Sequence, residues 1–369
     1  MRIVAVVGIR SQYIKLCALQ RMLAKNKTLA DNLEMIYINA GQHYDFELSD
    51  GFIDELGIDF DETLKYDDPD PIHIFSEMIH KLCELYRKYN SIKPIDYIMV
   101  FGDANTTMAA AVAASKVGIK ITHVEAGLRL GSLNSPEEGN RIVADHLSTR
   151  LYVSNKADWK NIESEGLAKK SFFAGDIIQD LVLDLKSNGV LNRPIRYLSD
   201  SFHYYEENDY VIASMHRKEN IRSRCVEPLF EVLNEMDCKV LFLAHPTVLD
   251  ILSKLEYDDT KITVAKYIPY YDMLACINQC KYLITDSGAF QREAYYLSKR
   301  CLIRQDVAFW QHLVDIGAHI NIGSTYEEMV SGIDKMNGAL LEQYPYTDYF
   351  GSGDAVERIF RNLMERENT

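Results

Sequence analysis

The feature that most constrains this chain is an alternation. Apolar runs of strand length are separated by longer segments with the helical period. The runs at 3–7, 35–39, 96–101, 120–124, 150–153 and 171–174 make a first series, and those at 210–215, 239–244, 262–265, 282–285 and 301–304 make a second. Parallel neighbours need long crossovers, which helices supply, so this alternation predicts parallel sheets covered by helices on both faces. Two series in succession predict an α/β chain of two Rossmann-like doubly wound domains facing a common cleft. The crossing is expected in 178–208, a polar, Tyr-rich segment broken by Pro194. The first domain is then 1–177 and the second 178–354. A last helix over 355–365 has Val356, Ile359 and Leu363 to cover, and is expected to pack back on the first domain.

Length and composition agree with this reading. A chain of 369 residues, 47% hydrophobic and 25% charged, has room for two cores. The net charge of −14 opposes nonspecific binding to nucleic acid. No apolar run approaches 18 residues, so no membrane span is expected. The start, Met1 to Gly8, reads as a first strand and not as a signal peptide. Seven cysteines scattered through apolar segments predict reduced thiols and a cytoplasmic protein. Cys276 and Cys280 lie four apart, but no second pair or histidine completes a zinc pattern.

Open parallel sheets bind ligands beyond the carboxyl ends of their strands. The residues after each run therefore carry the functional argument. The run ending at Phe101 is followed by Gly102 and Asp103, and the run 120–124 by Glu125. A loop with Pro136 then presents Glu137 and Glu138. Taken singly, Asp103 and Glu137 also read as helix caps. Three carboxylates at one edge point to acid–base chemistry or to a metal site.

The first strand leads through Gly8 to a helix expected over 14–24, with Arg10 and Lys15 at its mouth. This is an anion-binding geometry without the dinucleotide fingerprint or the Walker lysine. Gln42 and His43 follow the second run. In the second series His216 and Arg217 follow 210–215, His245 follows 239–244, and Asp286, Ser287 and Gly288 open a capped helix containing Glu293. Helix starts with nearby cations suit a diphosphate, and a carboxylate such as Glu293 suits a ribose diol. His216 has the place to hold a phosphate or to act as an acid, although alone it also reads as a loop histidine.

These residues carry a resemblance. Gly8-Ile9-Arg10-Ser11-Gln12-Tyr13-Ile14-Lys15, Gly102-Asp103, His123-Val124-Glu125-Ala126-Gly127-Leu128-Arg129, Pro136-Glu137-Glu138-Gly139-Asn140-Arg141, Met215-His216-Arg217-Lys218-Glu219-Asn220 and Asp286-Ser287-Gly288-Ala289-Phe290-Gln291-Arg292-Glu293-Ala294 resemble, in order, the non-hydrolysing UDP-N-acetylglucosamine 2-epimerase family. The resemblance implies the two-domain GT-B arrangement and a reaction in which UDP leaves C1 as the C2 proton is removed. Re-addition to the glycal then inverts C2. It implies that Asp103, Glu125, Glu137 and His216 are catalytic. It implies that Arg10, Lys15, Gln42, His43, Arg141, Arg217, His245, Ser287, Gly288 and Glu293 bind the UDP-sugar, and that the second domain is the UDP-binding one. No metal or other cofactor is implied. A homodimer and a place in prokaryotic surface-glycan synthesis are implied.

The chain departs from the family pattern in places. Arg292 stands where the family usually has glutamate, and Gln305 to His312 replace a segment with an arginine and a Glu-Arg pair. Trp310, Gly175 to Asp180 and Ala40 to His43 resemble the branch acting on UDP-2,3-diacetamido-2,3-dideoxyglucuronic acid. The sugar is therefore expected to be N-acetylglucosamine or a 2-acetamido sugar modified at C3 or C6. Asp68 to Pro71 replace a stretch that some members use for a second, activating UDP-sugar. Competing readings are a GT-B glycosyltransferase using a UDP-sugar donor and a nucleotide-sugar-binding protein without catalysis. The three carboxylates with His216 favour the epimerase.

Overall fold

The computed structural model describes residues 1–41, 46–131, 135–193, 207–217, 220–266, 268–304, 309–323, 325–340 and 343–367. The chain divides into two compact units, Met1–Leu181 with Thr347–Thr369, and Val182–Tyr346.

The first unit contains β1 (Arg2–Val7), α1 (Arg10–Lys25), α2 (Lys27–Ala30), β2 (Glu34–Asn39), α3 (Phe46–Leu56), β3 (Glu62–Thr63), α4 (Pro71–Ile92), β4 (Tyr97–Phe101) and α5 (Asn105–Val117). It continues with β5 (Ile121–Ala126), α6 (Pro136–Leu147), β6 (Arg150–Val153), α7 (Trp159–Ser164), β7 (Ser171–Phe173) and α8 (Ile177–Ser187), in which the boundary falls. Among the described residues seven strands form one parallel sheet in the order β3-β2-β1-β4-β5-β6-β7. The order reverses direction between β1 and β4, which makes their carboxyl ends the expected binding edge. The alanines of α5 let that helix lie close to the sheet, and Ala109, Ala110, Ala113 and Ala114 pack in one core with Val4, Ile98 and Tyr86.

The second unit contains β8 (Tyr210–Met215), α9 (Ser223–Glu235), β9 (Lys239–Ala244), α10 (Pro246–Leu252), β10 (Ile262–Ala265), α11 (Tyr270–Gln279) and β11 (Leu283–Thr285). It ends with α12 (Gly288–Tyr296), β12 (Cys301–Arg304), α13 (Gln311–Asp315), β13 (His319–Ile322) and α14 (Tyr326–Ala339). Its six described strands are parallel in the order β10-β9-β8-β11-β12-β13. The reversal here lies between β8 and β11. Its own core gathers Val211, Phe230, Leu233, Phe242 and Met336. The last helix, α15 (Ala355–Glu367), belongs to the first unit, where the Asp180 carboxylate accepts the N–H groups of Ala355 and Val356 at 3.0 and 2.8 Å.

Several elements differ from the sequence expectation. Helix α1 starts at Arg10, four residues before the expected start, because the Gln12 side chain takes up the Gly8 N–H and the first turn closes on Ile9. The acidic segment before α4 contains the short strand β3, and α4 starts at Pro71 with Asp70 capping Ile72 and His73. Proline at the first helical position after an aspartate cap is a strong start. Strand β13 was not anticipated, since His319-Ile320-Asn321-Ile322 has no continuous apolar run. Among the described residues no helix is long and apolar enough to cross a membrane.

Candidate functional site

In the first unit the binding edge is built around glycines. A Cβ on Gly8 would lie 2.5 Å from Thr106 Oγ1, so glycine is what admits the start of α5 beside the end of β1. Gln12, buried one turn into α1, accepts the Gly8 N–H at 2.8 Å and donates to the Phe101 carbonyl at 2.8 Å and to Thr107 Oγ1 at 2.9 Å. It thereby ties the ends of β1 and β4 together. Lys15 follows on the same face of α1, buried, in an ion pair with Glu125. Gly102 has φ +60°, and a Cβ there would lie 2.9 Å from Lys15 Nζ and 3.5 Å from Glu125 Oε2. The lysine–glutamate pair sits where no side chain fits.

Glu125 itself has φ +67°, and the pairing of β5 with β6 is irregular between Val124 and Ala126. A left-handed residue that is not glycine costs energy and persists only where its surroundings demand it. An irregularity in a strand re-aims a side chain. Asp103 is partly exposed and forms an ion pair with the buried Arg141. Arg141 also reaches Glu138 at 3.3 Å. Glu138 is buried and its oxygens accept the N–H groups of Leu130 and Gly131, each at 2.9 Å. Asn140 donates to the Asp103 carbonyl at 2.9 Å.

Glu137 is exposed and hydrogen-bonded by Ser135. That bond, then its own N–H, then the charge of Arg141 hold its carboxyl below the usual range against the opposing effect of burial. Asp158 lies close enough to feel the Glu125 charge. Burial, with that charge, pushes its carboxyl up to about 7, against the hydrogen bond from Asn155 at 2.5 Å. Arg10 is exposed at the start of α1 with its guanidinium 4.3 Å from the centre of the Phe52 ring.

In the second unit the corresponding edge is organised by Asp286. Its carboxylate accepts the backbone N–H of His216 at 2.8 Å, that of Arg217 at 3.1 Å and Asn220 Nδ2 at 2.8 Å. The Arg217 Nε donates to the Asp286 carbonyl at 3.3 Å. This binds the loop after β8 to the turn after β11, the two strands at the reversal. Ser287 caps α12. The Gly288 carbonyl accepts Trp310 Nε1–H at 2.8 Å, and the Arg292 guanidinium lies 5.2 Å from the centre of the Trp310 ring. The His216 ring meets Phe290 edge-on at 5.4 Å and His245 at 6.2 Å. Burial lowers the affinity of His216 for its proton, Asp286 partly restores it, and His245 lowers it further. One turn into α12 the buried Glu293 accepts the Tyr270 hydroxyl at 2.9 Å.

The structure thus brings Lys15, Asp103, Glu125 and Arg141 into one connected set, and His216, Arg217, His245, Ser287 and Gly288 to another edge, with Glu293 close behind. Among the described residues Glu137 makes no ion pair with the set but feels the Arg141 charge, and Arg10 stands apart over Phe52. Gln42 and His43 lie outside the described residues, as do Gln305, Asp306, Val307 and Ala308 of the departing segment. Gln12, Glu138, Asn140, Asp158 and Asp286 were not anticipated as site residues. For Glu138 the signal was present, because Glu138, Arg141 and Asp145 fall on one face of a helix starting at Pro136.

A family model described as UDP-N-acetylglucosamine 2-epimerase matches residues 26–364. The chain is 34% identical to a UDP-N-acetylglucosamine 2-epimerase homolog of Methanococcus maripaludis, over 98% of this chain and 100% of that protein. It is 28% identical to the UDP-2,3-diacetamido-2,3-dideoxy-D-glucuronate 2-epimerase of Pseudomonas aeruginosa, over 99% and 100%. Its fold is similar to the crystal structure of Methanocaldococcus jannaschii UDP-GlcNAc 2-epimerase in complex with UDP-GlcNAc and UDP, with TM-score 0.77 and 28% identity over 99% and 100%. The family match takes in strands β2 to β13, the M. maripaludis relative aligns over 98% of this chain, and the chain belongs to the UDP-N-acetylglucosamine 2-epimerase family.

Proposed function

We propose that the chain inverts C2 of a UDP-2-acetamido sugar by eliminating and re-adding UDP. The observation that carries this reading is the set of Lys15, Asp103, Glu125 and Arg141 at the carboxyl ends of β4 and β5. A proton on C2 of a sugar is weakly acidic, and its removal needs a carboxylate held in place and a leaving group that departs as an anion. In the proposed step a carboxylate takes the C2 proton while the C1–O bond breaks. The bonding pair leaves with UDP and a C1–C2 double bond forms. The reverse step delivers a proton to the other face of C2 and returns the UDP oxygen to C1.

Asp103, Glu125 and Glu137 are the acid–base groups in this reading. Lys15 and Arg141 pair with two of the carboxylates and orient them. His216, half-buried and disposed to be neutral, serves the leaving UDP with Arg217 and the start of α12, whose N–H groups favour an anion. Glu293 is assigned to the ribose. The sugar is N-acetylglucosamine or one modified at C3 or C6, and Trp310 and the Pseudomonas relative support the modified one. A homodimer in the cytoplasm, feeding surface-glycan synthesis, belongs to the same reading. The seven free thiols are in keeping with a reducing compartment.

The test is proton NMR in deuterated water with UDP-N-acetylglucosamine, then with its diacetamido-glucuronate analogue. Deuterium at C2 together with a second epimer is the expected result and identifies the sugar. Release of UDP with free sugar marks a hydrolase. Tight UDP binding without exchange in either substrate overturns the epimerase reading.

A further inference from the structure

Behind the carboxylates of the first unit lies a buried pair that the reaction described above does not use. His123 is at the centre of β5, fully buried, two residues before Glu125. Its Nδ1 is 2.7 Å from Asp145 Oδ1 and its Nε2 is 2.7 Å from the Gly102 carbonyl oxygen. A carbonyl oxygen only accepts. The Asp145 carboxyl is ionised, since the charges and hydrogen bonds of His123 and Arg129 outweigh burial and hold it below the usual range. Each ring nitrogen thus faces an acceptor, a setting built to receive a hydrogen from both. A neutral ring would set two lone pairs against each other at 2.7 Å.

The other oxygen of Asp145 accepts the Gly127 N–H at 3.1 Å and an Arg129 N–H at 2.8 Å. The charged groups around the pair come from three further places. Arg129 is shared with Glu165 of the segment after α7, at 2.6 and 2.7 Å. Lys170 donates to the Asp145 carbonyl at 2.8 Å. Glu125 lies on the same strand as His123.

The pair therefore grips two backbone points. One is Gly102, immediately before Asp103, and the other is Gly127, two residues after Glu125. Gly102, Glu125 and Gly127 all have left-handed backbone, with φ of +60°, +67° and +87°. Backbone of this kind holds its place only when neighbours fix it. A Cβ on Gly127 would lie 2.8 Å from Ile162 Cγ1, so the turn is wedged from the other side as well.

We propose that His123 and Asp145 form a buried imidazolium–carboxylate brace that positions Asp103 and Glu125 for proton transfer at the sugar. The proposal rests on the epimerase reading. His123 and Asp145 are positioning residues, and they act through the backbone they hold.

The charge state is tested on the unaltered protein. Long-range nitrogen–proton correlation on histidine-labelled enzyme, with His123 assigned by its absence in His123→Gln, is expected to show hydrogen on both ring nitrogens at pH 7. A single hydrogen at pH 7 overturns the brace whatever the variants do. The positioning role is tested with Asp145→Asn and His123→Gln. Displacement of reacting groups by an ångström or so costs about a hundredfold in rate. Turnover, and deuterium entry at C2, are expected to fall by about that factor while KM and UDP affinity stay near wild type. Folded variants with wild-type turnover overturn the proposal, and so does an equal loss of UDP affinity, which marks a merely structural pair. Absence of C2 exchange in wild type with either sugar defeats the epimerase reading instead, and is thus distinguishable from both.

Discussion

Asp103 and Arg141 hold their charges in different settings. The arginine is buried, while the carboxylate it pairs with keeps part of its surface open. A carboxylate fixed on one side by a guanidinium and open on the other is suited to exchange a proton with something that arrives. Asp103→Asn keeps the shape and removes the base, and leaves Arg141 paired with Glu138. Turnover is expected to fall by about a thousandfold, within the range for loss of a general acid or base. Titration calorimetry is expected to find UDP affinity little changed, because His216, Arg217, the start of α12 and Glu293, which this reading gives to the UDP itself, include no neighbour of Asp103. Retention of activity by this variant removes Asp103 from the acid–base role. Asp103 and Glu125 were legible in the sequence because a charged residue directly after an apolar strand has few places to go. Their supports were not. Gln12 meets Phe101 and Thr107 across 89 and 95 positions, and His216 meets Asp286 across 70. Nothing local in a sequence marks such a partner.

At the scale of elements, α15 is fastened to α8 by one side chain. The Asp180 oxygens receive the first N–H groups of α15, which are orphans in any helix. Burial pushes the Asp180 carboxyl up to about 7, the N–H groups of Val356 and Ala355 pull it down, and the charges of Asp176 and Asp354 add to the rise. The unfolded chain releases this proton near the ordinary value of 3.8, and the native chain keeps it until about 7. Between those values unfolding releases a proton, so stability from this group is lost as pH rises. The loss approaches about 1.4 kcal/mol per pH unit, or about 4 kcal/mol across the window. Asp180→Asn cannot titrate. Urea midpoints from pH 4.5 to 7.5 are expected to decline less steeply in the variant than in wild type, and parallel curves would refute the shift. Strands with continuous apolar runs could be read from sequence. Strand β13 could not, because an edge strand needs apolar residues on one face only. The start of α1 was hidden for another reason, since a side chain inside the helix, Gln12, does the work of a cap.

At the scale of the molecule, each unit has its own parallel sheet and its own apolar core. The repeated strand–helix alternation made both sheets legible, since buried parallel strands must be apolar along their length. Each unit also holds one of the two tryptophans, Trp159 in the first and Trp310 in the second. Trp310 bonds the Gly288 carbonyl, so its fluorescence reports on the start of α12. His216, Arg217, His245, Ser287, Gly288 and Glu293 all belong to the second unit, and Arg10, Lys15, Gln42, His43 and Arg141 are the assigned contribution of the first to the UDP-sugar. Lys15 is already paired with Glu125 and Arg10 lies over Phe52, so UDP without its sugar is expected to stabilise the second unit more than the first. A ligand at a hundred times its Kd adds about 2.7 kcal/mol to the unit that binds it. For a unit of this size that raises the melting temperature by about 5–10 °C. In Trp159→Phe, where Trp310 is the remaining tryptophan, the fluorescence melt is expected to move upward by this amount with UDP. Hydrogen exchange on the same samples is expected to slow more at β8 and β11 than at β4 and β5. Greater protection of β4 and β5 would place the nucleotide on the first unit, and the roles given to His216 and α12 would have to be reassigned.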